Sequence, residues 1–288
     1  MSAISATTAP VGGARSAWRK LIGYRPALIG LIVIGFFVLL ALLAPVLAPY
    51  DPQRTTADTL QPPSAAHWFG TDALGRDVFS GVLHGARISL LVGAMTGIAV
   101  FAVGIVVGAL AGYYGGKVDA VLMRITEVFQ VLPSLVLALV TVAVLGRGVY
   151  YIAGAIALAI WPQVARIVRA QFLSLRETDM TLAARTVGYR DWRIIVGELL
   201  PNAMPPVIVQ VTVDVGAAIL LEAGLSFLGL GDPDRTSWGQ MLQTAQSHLE
   251  AWWISVPAGA AILLVVLSIN FVGDGLNHAF RPAAQENL

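Results

Sequence analysis

Three carboxylates, Glu127, Asp214 and Glu222, sit inside long apolar runs, and Ser226 follows Gly224 and Leu225 near the end of one of them. An ionised group in hydrocarbon is costly unless it faces a partner or water, so all three are expected to point into the interior of a helix bundle. Asp214 and Glu222 are therefore candidates to line or gate a pathway, with a purely structural polar contact as the other open reading. Ser226 beside a glycine at a span end also fits an intramembrane serine protease, which needs a general base next to the serine. The four histidines, His67, His84, His248 and His278, all fall outside the expected spans; His248 is expected on the same side as Ser226.

Other chemistries lack their residues. A chain that hydrolyses ATP needs a glycine-rich phosphate loop ending in Gly-Lys-Ser/Thr. The pair Gly116 and Lys117 is followed by Val118, and Ala111 stands where the motif needs glycine, so any ATP-derived energy must come through another chain. With no cysteine, disulfides, thiolate catalysis and cysteine-ligated metals are excluded, and no metal site is expected. A net charge of +1 speaks against nucleic acid as a partner, because such binding needs a concentrated basic face.

The elements that must position these residues are membrane helices. The chain is 57% hydrophobic and 12% charged, with a mean hydropathy of +0.75, which places it in lipid. From Pro26 to Tyr50 it carries no charge, and at about 1.5 Å per residue this stretch is roughly 37 Å long, enough to cross a hydrocarbon core of about 30 Å. It reads as a retained anchor rather than a cleaved leader. Five further apolar segments follow, at 89–112, 121–146, 150–168, 204–228 and 252–272. The expected fold is an all-α integral membrane protein with six transmembrane helices, because lipid leaves no other way to pair the backbone and no alternating strands are present. Pro133, Pro162, Pro205, Pro206 and Pro257 within the spans are packing or kink residues, or hinges of a moving gate.

Six spans put both ends of the chain on one side. That side collects Arg15, Arg19, Lys20, Arg25, Lys117, Arg124, Arg166, Arg169, Arg176, Arg185, Arg190, Arg193 and Arg281. Arg54, Arg76, Arg87, Arg147 and Arg235 fall on the other. The asymmetry predicts a cytoplasmic location for residues 1–25, 176–202 and 281–288, and an outer location for 51–88 and the loop after residue 230.

The cytoplasmic segment 176–202 reads as two short helices. Thr178 or Asp179 can cap the first, Gly188 can end it in the left-handed conformation, Asp191 can cap the second and Pro201 limits it. Ala183 and Ala184 leave one side of the first helix flat, which suits insertion into a groove on another protein. Leu182, Val187, Trp192, Ile194, Ile195, Leu199 and Leu200 equally suit an amphipathic helix lying on the membrane. The residues alone leave both readings open. In the outer loop, Thr71 or Asp72 can cap a short helix in which Arg76 and Asp77 pair.

Leu182, Ala183, Ala184 and Gly188, followed by Ile194, Ile195, Leu200, Pro201 and Asn202, resemble the EAA loop of bacterial ATP-binding-cassette (ABC) importer permeases. The family pattern is Glu-Ala-Ala, three residues, Gly, then a distal Leu-Pro. Leu182 stands where the family often has glutamate, and Glu198 where the peptide-importer branch often has histidine. The stretch from Phe69 to Ser80, with Gly70, Thr71, Asp72, Gly75, Arg76 and Asp77, continues into Gly85 and Leu90. It is similar to the outer-loop signature of the dipeptide/oligopeptide/nickel branch. Residues 222–231, Ser237 to Gly239 and Gly273 to Leu276 resemble the same branch.

The resemblance implies a type I importer-like bundle with a core permease domain at 89–280 and a coupling helix within 176–202. Leu182, Ala183, Ala184, Gly188, Asp191 and Pro201 would form the contact with an ATPase. It further implies a second homologous permease, two ABC ATPases and an extracytoplasmic substrate-binding protein, with ATP and magnesium held by the ATPases. The location implied is the bacterial inner membrane, in contact with the lipid bilayer. Dipeptides or longer peptides lead as substrates; nickel chelates, glutathione, opines and haem are the cargoes of similar permeases. A secondary carrier would need charges paired across several helices or an inverted repeat, and neither is evident.

Overall fold

A computed structural model describes residues 14–280. The described residues fold into helices in the order α1 (Ala14–Gly23), α2 (Arg25–Leu47), α3 (Val78–Tyr114), α4 (Gly116–Val131), α5 (Ser134–Leu145), α6 (Val149–Leu175), α7 (Asp179–Thr186), α8 (Asp191–Arg193), α9 (Leu200–Leu225), α10 (Trp238–Ala245) and α11 (Trp252–Phe280). Two π-helical stretches, Ile194–Leu199 and Ser226–Leu230, flank α9, so Asp191–Leu230 is one helical stretch of 40 residues, a rod that kinks near its end at Gly229, where φ is 85°. Arg281 and residues 281–288 lie outside the described residues, as does the tail before residue 14.

Five helices are long and apolar enough to cross a membrane, and six crossings result if one bent pair counts as a single span. That pair is α4 and α5, where a continuous span was expected over 121–146. The two are bent by 89° at Leu132 and Pro133. The cause is local: a residue before proline is pushed out of the helical region, and Leu132 has ψ 135°. The expected span at 89–112 starts earlier, at Val78. There Asp77 caps α3 by accepting the Ser80 N–H at 2.8 Å. His84 consequently lies inside α3, and His278 lies in the last turn of α11, stacked on Tyr24, where both were expected outside the spans.

Leu42, Val46, Ile98, Val144 and Leu263 stand fully outward, a surface that water would not tolerate and lipid requires. Inside the bundle, α3 and α6 approach along Gly104, Gly108 and Gly112, spaced four apart on one face of α3. A methyl group at Gly108 would run into the Ala165 carbonyl and the Val168 side chain, and one at Gly112 into Phe172. This is the small-residue contact by which membrane helices pack closely without a hydrophobic drive between them. Val164, Val168, Phe172, Ile194, Leu199 and Val207 fill the core beside it.

Residues 51–77 hold no helix, contrary to expectation. Instead Asp72 closes a tight turn by accepting the N–H groups of Leu74 and Arg76 at 2.8 and 2.9 Å, and Thr71 bridges to Asp77. Gly70 and Gly75 supply the positive φ that this turn needs. Asp77 pairs with His67 at 2.9 Å rather than with Arg76. The short helix on this side is α10, opened by a capping box between Ser237 and Gln240. Its buried Trp238 donates to the Val82 carbonyl at 3.0 Å and shares one core with Val78, and Trp253 donates to the Thr71 carbonyl at 3.1 Å.

Replacing Gly108 by leucine forces α3 from α6 against backbone that cannot give way. The expected result is a loss of about 1–3 kcal/mol, read as a lower thermal midpoint of the detergent-solubilised protein. An unchanged midpoint contradicts the close contact.

Candidate functional site

At the opposite end of the bundle, α7 is a short outward lobe with a defined attachment. Thr178 and Thr181 both donate to the Leu175 carbonyl, at 2.7 and 2.9 Å, which ties the start of α7 to the end of α6. Thr178 occupies the N-cap position without a side-chain cap bond. Gly188, at φ 85°, ends the helix as expected: the Gly188 N–H reaches the Arg185 carbonyl at 2.9 Å and the Tyr189 N–H reaches the Ala184 carbonyl at 3.1 Å. These two bonds form a complete Schellman motif, which favours glycine because a Cβ disfavours the left-handed residue.

The second half of the segment departs from expectation in two ways. Asp191 does not cap a helix, for Arg190 holds that position; the Asp191 carboxylate instead accepts the Tyr113 hydroxyl at 2.7 Å. Pro201 does not end a helix. The π turns at Ile194–Leu199 change the backbone register before it, and the rod continues past Pro201 into the membrane. Arg185 lies over the Tyr113 ring at 5.3 Å, so one tyrosine at the end of α3 is held by both halves of the loop. Neighbouring ties point the same way: Arg169 grips Asp119 with both nitrogens, one at 2.6 Å, and Arg176 donates to the Gly112 carbonyl at 3.3 Å.

The predicted loop residues divide by direction. Leu182, Ala183 and Gly188 face outward together with Val187 and Trp192, and nothing lies within reach of Gly188. Ala184 is turned partly into the core, next to Ile195. Pro201 is exposed further along the rod. The result is a small apolar surface on a rigid lobe, continuous in covalent structure with α9 and hydrogen-bonded to α3.

The in-span groups separate as well. Glu222 is 1% exposed, with Ser89 of α3 donating to one oxygen at 2.9 Å and Ser226 to the other at 2.7 Å. Ser226 is thus a partner of Glu222, itself buried. Asp214 lies elsewhere on α9, at a cleft beside Gln130, Gln163 and Gln210. Glu127 does not face the interior: it is exposed on α4 and pairs with Arg124 at 3.0 Å. Sequence reasoning missed Ser89, Tyr113 and the three glutamines. Gln163 and Gln210 were detectable as amides within apolar runs, whereas nothing local marks Tyr113 or Ser89 as partners of residues far along the chain.

The family model described as "Binding-protein-dependent transport system inner membrane component" matches residues 104–286. The chain belongs to this family. A second model, the N-terminal TM domain of oligopeptide transport permease C, matches residues 14–63. The permease is 42% identical over 274 residues to the dipeptide transport system permease protein DppC of Alkalihalophilus pseudofirmus, covering 93% of this chain and 89% of the relative. It is 40% identical to the Bacillus subtilis protein of the same name, over 93% and 85% of the two chains. With the probable D,D-dipeptide transport system permease protein DdpC of Escherichia coli it shares 38% identity, over 94% and 92%.

Among solved structures, a chain of the inward-facing MetNI methionine ABC transporter superposes with a TM-score of 0.59 at 20% identity. It covers 70% of this chain and 97% of that one. The fold is that of a type I ABC importer permease, and the protein is a multi-span inner-membrane component that is not itself catalytic.

Replacing Ser89 by alanine strips one oxygen of buried Glu222 of its donor, a cost of about 1–3 kcal/mol. Adding Ser226→Ala lowers the thermal midpoint further, and a triple variant with Glu222→Met recovers most of the loss, because no polar atom is then left unpaired. A triple variant no more stable than the double one contradicts this account.

Proposed function

We propose that this permease pairs with a second homologous permease and with two ABC ATPases, and that it moves dipeptides and longer peptides inward from an extracytoplasmic binding protein. The observation that carries the coupling is the latch on α7. The exposed surface of Leu182, Ala183, Val187 and Trp192 is apolar, while Arg185 of α7 and Asp191 just beyond the Gly188 turn both hold Tyr113 of α3, and the rod that leads into α9 starts at Asp191. A short rigid helix of this kind suits a groove on an ATPase. ATP and magnesium belong to those partners.

The end that carries α7 also carries Lys20, Arg25, Lys117, Arg166, Arg169, Arg185, Arg190 and Arg193, which supports a cytoplasmic location for it and for both chain ends. Closure of the ATPase pair displaces the two α7 lobes, and each lobe passes the displacement to two spanning helices at once. ATP then biases the permease pair between inward- and outward-facing packings through that contact. The peptide assignment draws on the printed names of the relatives, which are dipeptide permeases.

Gly188→Val tests the coupling, because a β-branched residue is strained at φ 85° although space is open around it. The variant complex is expected to assemble with its ATPases while ATP-dependent dipeptide uptake into vesicles falls about tenfold or more. Uptake at the normal rate would remove α7 from the mechanism. Sidedness has its own measurement: a single cysteine at Val187, in a chain that has none, is expected to react with an impermeant maleimide in inside-out but not right-side-out vesicles.

A further inference from the structure

The bend between α4 and α5 opens a cleft of about 530 Å³ at membrane depth, lined by Phe129, Gln130, Pro133, Gln163, Gln210 and Asp214, among others. Gln163 lies near the middle of α6 and Asp214 near the middle of α9. Asp214 is 6% exposed. One carboxylate oxygen accepts the Gln210 amide at 2.9 Å; the other, Oδ2, is buried and has no partner among the described residues. An ionised group of this kind in a membrane span is costly unless it faces water or a partner, and a visiting cation is one such partner.

The lining has the wrong chemistry for lipid and suits one class of visitor. Broken backbone within a membrane protein is tolerated where it borders protein or a water-filled cavity, and the Leu132–Pro133 break lines this cleft. A glutamine amide offers a donor and an acceptor, as does each peptide unit of a substrate, and the free oxygen of Asp214 takes a cation. We propose that Asp214, flanked by Gln163 and Gln210, receives the α-ammonium group of a peptide in transit. The proposal rests on the reading of the chain as a peptide permease and assigns a residue to its cargo. Gln130, which also lines the cleft, accepts from Arg166 at 3.0 Å, so that guanidinium is hydrogen-bonded there and not to Asp214.

The absence of cysteine permits a clean test in the assembled complex in vesicles. A cysteine is placed at Gln163, and its reaction with cationic and anionic methanethiosulfonates is timed. The cationic reagent is expected to react roughly tenfold faster or more, Asp214→Asn in the same background should abolish the preference, and dialanine should slow cationic labelling where N-acetyl-dialanine does not. Equal rates for the two reagents, a preference that survives Asp214→Asn, or equal protection by both peptides overturns the assignment. So does labelling no faster than at a cysteine replacing lipid-facing Leu263. ATP-dependent dialanine uptake by the unmodified complex is measured in parallel. Its absence counts against the peptide-permease reading itself, while the labelling rates still report whether a cation is drawn to Asp214.

Discussion

Lipid offers no hydrogen bond, and most of this architecture follows from where its polar atoms find one. Glu222 finds two serines, one on its own helix and one on α3, and thereby ties those helices together deep in the bundle. Thr96 of α3 reaches the Ala153 carbonyl of α6 at 3.2 Å. The same restriction explains why the broken backbone at Leu132 and Pro133 borders a polar cleft rather than the apolar belt. Glycines let the helices come close enough for such short bonds to form, so packing and polar satisfaction depend on one another along α3.

The same logic gives the α7 lobe its stiffness. Its exposed surface would be a liability on a flexible loop, but here both ends are fixed. Threonine hydroxyls hold its start to α6, and a Schellman turn with the Tyr113 contacts holds its end. The lobe is therefore tied by hydrogen bonds to α6 at its start and lies against Tyr113 of α3 at its end. The π turns at Ile194–Leu199 accommodate the missing donor of Pro201 without ending the rod, which begins at Asp191 just past the Gly188 turn.

At the other end, the loop from residue 51 to 77 is ordered by carboxylates acting on backbone. Asp72 accepts the N–H groups of Leu74 and Arg76, Asp77 accepts that of Ser80, and Trp253 of α11 pins the loop by donating to the Thr71 carbonyl. A dense network of this kind packs the loop over the α3, α10 and α11 end of the bundle.

Hydropathy and charge alone determined that the chain lies in lipid, roughly where it crosses, and which end collects cations, because each depends on transfer of individual side chains out of water. The left-handed glycine at 188 was legible for a similar reason: backbone conformation there is decided locally. Tertiary structure alone decided the rest. It bent the third span by 89° at Leu132 and Pro133, and it carried the rod through Pro201. It sent Asp191 to Tyr113, enclosed Glu222 between serines and left Asp214 with an unpaired oxygen at a cleft. These outcomes turn on which helix faces which, a property of packing between residues far apart in the chain that no local pattern encodes.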